Sequence, residues 1–444
     1  MMLDVQVSGR LVAKLYRERD EYVLKYLPGT ELTDFVSLTM PVREEPWRWP
    51  RDLFPFFRQN LPEGYLLGVI REEFGAMLDG TDLSLLGLVG GTGIGRVSIT
   101  PEGVQPGIDM DPLEITHMLQ AENTPEHFAE LVRQYARVAI SGVVPKFIAN
   151  DAFHNQQPLG KPTLRTGFHI IKGSDDNTPF LGFNEFYTMR VLERLNVVPV
   201  ATCQMSEDGR VLVVDRFDVD EQGIPRYGLE DACGLLGLPP HEKYRPTVEQ
   251  VWNATRSYIG ADRLREQREH LGWHLLTNYV VRNADCHAKN IALYYTSQAD
   301  VGFTPVYDLV TTQAYPRFAA SPPGLSIGGK QTWTPGRSLE TFFKSVLSIP
   351  PAQYAAMVEQ LCQSAVEVGQ EVIEASKNEP AWRDVAKHMV HAWNAGMETL
   401  RSAKAAPQFR GLDNAITEAG FSGPRKPESR GEVIGRSELL AKKR

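Results

Sequence analysis

The chain has few cysteines and no long apolar run. The cysteines are scattered and form no Cys-x-x-Cys pair: Cys203, Cys233, Cys286 and Cys362. Such spacing fits neither a disulfide framework nor a zinc site. No apolar segment approaches the roughly 20 residues that cross a bilayer, and the amino terminus lacks the basic stretch and apolar block of a signal peptide. We therefore expect a cytoplasmic protein without a membrane segment.

An excess of positive charge is also missing. The 47 Lys and Arg residues are outnumbered by 55 Asp and Glu residues, which leaves a formal net charge of −8. Proteins that hold nucleic acid through bulk charge need clustered Lys and Arg to contact phosphates. The segment 425–444 is locally basic, and such an end is more often solvated than a binding arm. Direct binding to DNA is therefore not expected.

The length of 444 residues allows two or three core-forming units. Alternating apolar residues predict a hairpin that turns at Ser8-Gly9, whereas helical periodicity dominates later segments. We predict four parts, which are a mixed α/β subdomain over 1–105, a strand-rich lobe with one strong helix over 113–218, a helical lobe with the catalytic loop over 219–405, and a flexible tail over 406–444.

Three polar residues have the identity and order of a protein-kinase active site. Asp285 and Asn290 lie five positions apart, and Asp308 follows two short apolar runs. In kinase chemistry the first Asp orients the substrate hydroxyl and accepts its proton, while the Asn and the second Asp hold magnesium ions on the ATP phosphates. The runs 291–295 and 302–306 predict a hairpin that brings Asn290 and Asp308 to one end. An Asp-to-Asn spacing alone is common by chance, so the hairpin makes the pattern more specific.

A lysine and a glutamate earlier in the chain suit the same chemistry. Lys172 ends a short apolar strand, and Glu185 follows near the start of an amphipathic helix that we predict to open at Phe183. Kinases use a strand-borne lysine to hold the α- and β-phosphates and often a helix glutamate to orient it. A lysine at a strand end is usually a solvated edge charge. The glutamate and the later polar set favour the functional interpretation.

Two segments contain glycine where a phosphate loop could form. Residues 141–146 carry one glycine and a lysine after a strand, and such a loop can place N–H groups and a cation over phosphates. A plain turn explains this segment at least as well. The segment 90–95 is richer in glycine but lacks the spacing of a dinucleotide fingerprint, and a strand follows it. We interpret it as a glycine-rich hairpin.

The strand over 212–218 is where the adenine-facing hinge of a two-lobed kinase should fall. Backbone groups of Asp215, Arg216 and Phe217 would face the base, although a charged strand end explains the segment equally well. His287 lies within the Asp285 loop and has no second His or Cys at ligand spacing, so a zinc role is not expected. We expect this histidine to pack near the nucleotide.

Taken together, these residues resemble the HipA family, the serine/threonine kinase toxins of bacterial HipA–HipB toxin–antitoxin modules. The resemblance covers roughly residues 1 to 400 in family order. Its segments are 61–63, 90–95, 140–146, 169–172, 184–185, 214–218, 231–239, 283–290, 305–308 and 325–329. It implies an α+β, two-lobed protein-kinase-like fold with an extra amino-terminal mixed α/β subdomain and an all-helical carboxyl lobe.

The resemblance also implies residue roles, with ATP and Mg²⁺ as cofactors. Asp285 would be the catalytic base, Asn290 and Asp308 the metal ligands, Lys172 the phosphate-holding lysine and Glu185 its helix partner. The implied ATP-binding set is completed by Gly142, Val143, Val144, Lys146, Asp215, Arg216, Phe217, His287, Lys289 and Tyr307. The implied partners are a HipB-like DNA-binding antitoxin and a protein substrate, an aminoacyl-tRNA synthetase whose modification stalls translation and favours dormancy. DNA would be reached only through the antitoxin.

One departure from the family concerns regulation. The family's phosphate loop often carries an autophosphorylated serine where this chain has Ala139, whereas Ser141 occupies a second serine position seen in other members. We hypothesise that autophosphorylation, if retained, uses Ser141, because added phosphate charge would repel bound ATP. Two other functions remain open. The chain could be a non-catalytic partner that binds an antitoxin and supports promoter repression, or a kinase of small molecules.

Overall fold

The computed structural model describes residues 1–62, 64–104, 115–120, 123–130, 133, 163–165, 168–333, 336–401 and 411–423. The predicted phosphate loop lies outside these residues, and so do the subdomain boundary near 105–113 and most of the predicted tail. The predictions that fall there concern Ala139, Ser141, Gly142, Val143, Val144 and Lys146.

The amino-terminal part is built on a five-stranded antiparallel sheet with the order β4-β3-β2-β1-β5. Its strands are β1 (Met2–Val7), β2 (Arg10–Glu18), β3 (Glu21–Tyr26), β4 (Trp47–Pro50) and β5 (Val97–Pro101). The predicted turn is confirmed, since Ser8 and Gly9 both have positive φ and Val7 pairs with Arg10. Leu3, Val5 and Val7 alternate along β1 and are buried, so one face of the sheet carries the core of this part.

Three helices accompany this sheet, namely α1 (Pro55–Arg58), α2 (Gly64–Phe74) and α3 (Asp82–Val89). The prediction of a hairpin over 90–95 is wrong. The segment continues α3 through a 3-10 turn, Gly90–Thr92, and then enters β5. A Cβ on Gly90 would lie 2.9 Å from both the Cβ and the carbonyl oxygen of Ile99. Glycine is therefore needed for close approach of the helix end to the strand rather than for a hairpin turn.

A second sheet has four strands in the order β6-β7-β9-β8. The strands are β6 (Thr163–Arg165), β7 (His169–Gly173), β8 (Cys203–Met205) and β9 (Val211–Asp215). Ahead of them lie α4 (Ile115–Gln120) and α5, a helical segment over 125–130. Helix α6 (Leu181–Glu193) packs on this sheet and begins two residues before the predicted start. Its buried Leu181, Met189 and Leu192 belong to the same hydrophobic core as Leu212 and Val214 of β9.

The rest of the chain combines a small sheet with helices. Strand β10 (Gly228–Asp231) pairs with the hairpin of β11 (Ala292–Tyr295) and β12 (Val301–Phe303), and the predicted hairpin is confirmed. The helices are α7 (Ala232–Leu235), α8 (Val248–Arg256), α9 (Leu264–Val280), α10 (Gly336–Thr341) with a π-helical continuation Phe342–Val346, α11 (Pro351–Asn378), α12 (Arg383–Leu400) and α13 (Asp413–Glu418). None of the described helices is both long and apolar enough to cross a membrane.

A buried polar junction joins the amino-terminal part to the small sheet of β10 to β12. One carboxylate oxygen of Glu230, on β10, accepts hydrogen bonds from the Leu38 amide and from the Tyr295 hydroxyl at 2.7 Å. Its other oxygen accepts from the Ser37 hydroxyl at 2.9 Å. Arg96 donates to the Thr296 carbonyl, also across the junction. Because Glu230 is only 1% exposed, desolvation raises its pKa to about 7. The amino-terminal part is thus tied to the sheet that contains the hairpin of β11 and β12.

Candidate active site

The strand-borne lysine meets the helix glutamate, as their predicted roles require. Lys172 lies on β7, between β6 and β9, and its Nζ is 2.7 Å from Oε2 of Glu185 on α6. The same ammonium also donates to Oδ1 of Asp308. The Glu185 side chain is fully buried, and that of Lys172 is 12% exposed. A buried cation between two carboxylates is therefore at the centre of the site.

The hairpin brings Asn290 and Asp308 together. Asn290 ends the 3-10 turn before β11, and its Nδ2 donates to Oδ2 of Asp308 at 2.6 Å. Asp308 follows β12 and has a φ of 59°, in the left-handed region. A left-handed conformation outside glycine is uncommon, although Asp tolerates it better than most residues, and such positions concentrate at functional sites. The predicted metal ligands are adjacent, and their role remains a prediction.

Asn283 connects the Asp285 loop to the Asp308 segment. Its Oδ1 accepts from the Asp285 amide at 3.0 Å, and its Nδ2 donates to the Asp308 carbonyl at 3.2 Å. Nδ2 of Asn290 also donates to the Asp285 carbonyl at 3.3 Å. Asn283 opened the kinase-like sequence motif, but the sequence predicted no role for it. Because the amide of Asn283 accepts from one segment and donates to the other, it fixes the proposed base relative to the proposed metal ligands.

A second amide fixes α6 against the segment after Asp308. Asn184, which precedes Glu185, accepts from the Thr311 amide at 2.8 Å and donates to the Thr311 carbonyl at 3.0 Å. Both residues are fully buried. The neighbouring Thr312 hydroxyl accepts from the Ala284 amide at 2.8 Å. These bonds keep the helix that carries Glu185 in register with the Asp285 loop and the Asp308 segment, a function that the sequence alone did not reveal.

Tyr244 is a site residue that the sequence analysis missed. It lies between α7 and α8, and its hydroxyl donates to Oδ1 of Asp285. Its ring packs edge-on against His287 with centroids 5.0 Å apart. Tyr244 is 41 residues from Asp285 in the chain, and no motif or periodicity connects the two, so the sequence offered no indication of the contact.

The remaining predicted residues of the Asp285 loop surround the same place. His287 Nε2 lies 3.9 Å from Oδ1 of Asp285. The Tyr307 hydroxyl donates to the Lys289 carbonyl at 2.9 Å, and burial raises the pKa of Tyr307 well above its ordinary value, so it stays a donor. Burial, together with nearby Asp285, raises the pKa of Cys286 to about 12. That thiol is therefore not a nucleophile at neutral pH.

The three predicted hinge residues make different contacts. The amides of Asp215 and Arg216 donate to the carbonyls of Thr202 and Phe168, so neither N–H faces a ligand. The Arg216 guanidinium forms a buried ion pair with Asp218 at 2.6 Å. Its side chain is therefore occupied inside the protein. Phe217 turns its ring toward Tyr307, with centroids 6.0 Å apart, so it borders the Asp285 loop. Contact of the three residues with adenine remains a prediction.

The donor set suits magnesium held jointly with a phosphate group. Among the described residues, Glu185 and Asp308 each bring a carboxylate to one ammonium, that of Lys172. The excess negative charge favours a divalent cation. Within the described part of the chain, no group of three His, Cys, Asp or Glu side chains forms a metal cage. Mg²⁺ is typically bound by one or two carboxylates plus substrate phosphates, so the Asp308 carboxylate and the Asn290 amide fit it.

Two family models match the sequence of this chain and show to which family it belongs. A model described as the HipA-like C-terminal domain matches residues 138–369, more than half of the chain. A model described as the HipA N-terminal domain matches residues 3–100. The chain belongs to the HipA family. The resemblance predicted from the sequence is therefore confirmed.

Individual relatives of the chain carry the names of kinases. The protein named Putative kinase Y4mE of Sinorhizobium fredii is 30% identical over 346 residues, covering 71% of this chain and 78% of the relative. A Haemophilus influenzae protein that is named Putative kinase is 28% identical over 198 residues, covering 40% of this chain and 54% of the relative. Together with the fold, these relatives support a HipA-like kinase.

The structure of HipA from Shewanella oneidensis MR-1, solved with HipB and operator DNA, superposes with a TM-score of 0.63 at 20% identity. The match covers 94% of this chain and 99% of that chain. The predicted fold class, mixed α and β with a kinase-like fold and a helical carboxyl-terminal region, is confirmed. Besides its helices, the carboxyl lobe also carries the small sheet of β10 to β12.

Proposed function

We propose that this HipA-family protein is a Mg-ATP-dependent serine/threonine protein kinase that acts as a toxin. The observation that carries the proposal is the cluster in which Lys172 contacts both Glu185 and Asp308, while Asn290 joins Asp308 to the Asp285 loop. A kinase needs these groups in one place, because its catalysis is mainly positioning and charge stabilisation. Such a cluster has no evident use in a protein that only binds partners.

Each residue has a definite task in this chemistry. Lys172, oriented by Glu185, holds the α- and β-phosphates, and Asn290 and Asp308 hold Mg²⁺. Bound Mg²⁺ neutralises charge on the phosphates. Asp285 orients a serine or threonine hydroxyl and takes its proton. The oxygen–phosphorus bond to the substrate then forms as the bond between the β- and γ-phosphates breaks, which yields a phosphoprotein, ADP and one proton.

The proposed partner and substrate are carried over from the family resemblance. The relative from Shewanella oneidensis was solved with HipB and operator DNA, and we propose a HipB-like antitoxin for this chain. With a net charge of −8, the chain would reach DNA only through that antitoxin. An aminoacyl-tRNA synthetase is the proposed substrate, and its phosphorylation would arrest translation.

Regulation is proposed to involve the predicted phosphate loop. Its residues Gly142 to Lys146 would cover the phosphates, and Ser141 would accept phosphate in an autophosphorylation step. Mass spectrometry after incubation with ATP and magnesium tests this directly. We expect a phosphate on Ser141 in the wild type and none in Asp285→Ala. An active kinase with unmodified Ser141 would overturn this part of the proposal.

The proposed activity is tested by comparing wild type, Asp285→Ala and Asp300→Ala. Asp300 is an exposed acid at the turn of the hairpin of β11 and β12, away from Asn290 and Asp308, which makes it a matched control. Growth after expression and transfer of the γ-phosphate to lysate proteins are measured for each. We expect arrest and transfer with wild type and Asp300→Ala only. Equal arrest by Asp285→Ala would instead favour a non-catalytic partner of the antitoxin.

A further inference from the structure

The hydroxyl of Tyr244 lies against the carboxylate of Asp285. It donates to Oδ1 of Asp285, and Asp285 is the residue proposed to accept the substrate proton. The Asp285 side chain is 22% exposed, so this carboxylate is reached from solvent. A protein hydroxyl therefore makes the hydrogen bond that a serine or threonine acceptor has to make before phosphoryl transfer.

The position of Tyr244 is built into the surrounding loops. The Ala288 amide, within the Asp285 loop, donates to the carbonyl of Lys243 at 3.0 Å. The Tyr244 ring rests edge-on against His287, whose side chain is only 8% exposed. Two neighbouring contacts thus hold the phenol over the carboxylate. The arrangement is not that of a free surface side chain that meets Asp285 by chance.

We infer that Tyr244 lies in the acceptor subsite, the place where the substrate hydroxyl binds Asp285. Its hydroxyl occupies that place until a protein substrate displaces it. This inference rests on the proposed kinase function. It adds a specificity-determining residue, because an acceptor must compete with a tethered hydroxyl for Asp285. A tethered group has a high effective concentration, so weakly bound acceptors, water among them, are excluded. A protein substrate with further contacts displaces it.

An alternative role predicts the opposite effect. If the phenol only positioned Asp285 for catalysis, removal of its hydroxyl would lower the rate. If it occupies the acceptor subsite, removal opens that subsite. Hydrogen bonds to ionised groups are among the stronger ones in proteins. Loss of this bond is expected to raise access of water to Asp285 by about tenfold.

The test measures ATP hydrolysis, in which water is the acceptor, for wild type, Tyr244→Phe and Tyr258→Phe. Tyr244→Phe removes the hydroxyl and keeps the ring against His287, whereas Tyr258 is a half-buried tyrosine after α8 that serves as control. We expect hydrolysis about tenfold faster in Tyr244→Phe and unchanged in Tyr258→Phe, with equal melting temperatures. Dephosphorylated casein as protein acceptor should show a lower KM and an unchanged kcat in Tyr244→Phe.

The outcomes separate the inference from the proposed function. Hydrolysis by Tyr244→Phe at or below the wild-type rate, with an active wild type, would overturn the inference and leave the kinase proposal standing. If neither protein hydrolyses ATP nor labels casein, the kinase proposal itself fails, and the inference fails with it. A rise in hydrolysis that also appears in Tyr258→Phe would contradict the assignment to Tyr244.

Discussion

Replacement of Lys172 by methionine separates the structural role of the lysine from its proposed catalytic role. Methionine keeps much of the apolar stem but removes the ammonium that joins Glu185 and Asp308. The Glu185 carboxylate is fully buried and would lose this cation. A second variant, Lys172→Met with Glu185→Gln, removes both charges of the pair.

The magnitude follows from the 2.7 Å separation of Lys172 Nζ and Glu185 Oε2. At an effective dielectric constant of about 20, the attraction is about 6 kcal/mol. Desolvation of both groups offsets part of it. Removing one partner of a buried pair typically costs about 3–5 kcal/mol, whereas neutral replacement of both partners is often tolerated. We therefore expect Lys172→Met to lose about 3–5 kcal/mol of unfolding free energy and the double variant to recover more than half of that loss.

Urea unfolding measures these differences, provided that the denaturant slope is unchanged. Both variants should fail to transfer the γ-phosphate, since neither can hold the α- and β-phosphates. Lys14→Met is the control, because Lys14, on β2 of the first sheet, also joins two carboxylates, those of Asp4 and Glu102. It should retain activity. Wild-type stability of Lys172→Met, or a double variant that transfers phosphate, would refute the reasoning.

Three further substitutions test the surrounding structure. Burial raises the pKa of Glu230 from 4.5 to about 7, so the stability that its protonated form contributes is lost as pH rises from 4.5 to 7. The unfolding free energy of Glu230→Gln should equal that of wild type below pH 4.5 and exceed it by about 3 kcal/mol above pH 7. A difference between the two proteins that does not change with pH would contradict this. Asn290→Ala should raise the Mg²⁺ concentration needed for half-maximal transfer, and an unchanged requirement would remove Asn290 from the metal site. Asn184→Ala leaves two buried groups of Thr311 unpaired, so it should cost about 1–3 kcal/mol in urea unfolding, and no loss would contradict the proposed register role.

The sequence predicted those parts of the fold that depend on neighbouring residues. Alternation and a two-residue turn predicted the first hairpin, and the hairpin of β11 and β12 followed from short apolar runs with polar ends. The same hairpin predicted that Asn290 and Asp308 would be adjacent, because the ends of paired strands must meet. The strand of Lys172 and the helix of Glu185 were also predicted, although α6 begins earlier, at Leu181.

Other features depend on contacts between distant parts of the chain. The glycines after α3 suggested a turn, but Gly90 is needed for close packing against Ile99, which no local pattern reveals. The Arg216 guanidinium forms an ion pair with Asp218, whereas the sequence suggested either an adenine-facing hinge or a charged strand end. Tyr244 reaches Asp285 through the path of a loop between two helices. Such a path follows from the packing of the whole carboxyl lobe rather than from periodicity.

The most direct test of the central proposal is γ-phosphate transfer from ATP by purified protein, with and without Mg²⁺, for wild type and Asp285→Asn. Asparagine keeps the shape of the side chain but can neither take the proton nor balance charge. The proposal predicts Mg²⁺-dependent transfer by wild type and a rate roughly 10²–10⁴-fold lower in Asp285→Asn, the usual range for loss of a positioned base. Equal rates in the two proteins, or transfer that does not require Mg²⁺, would contradict it.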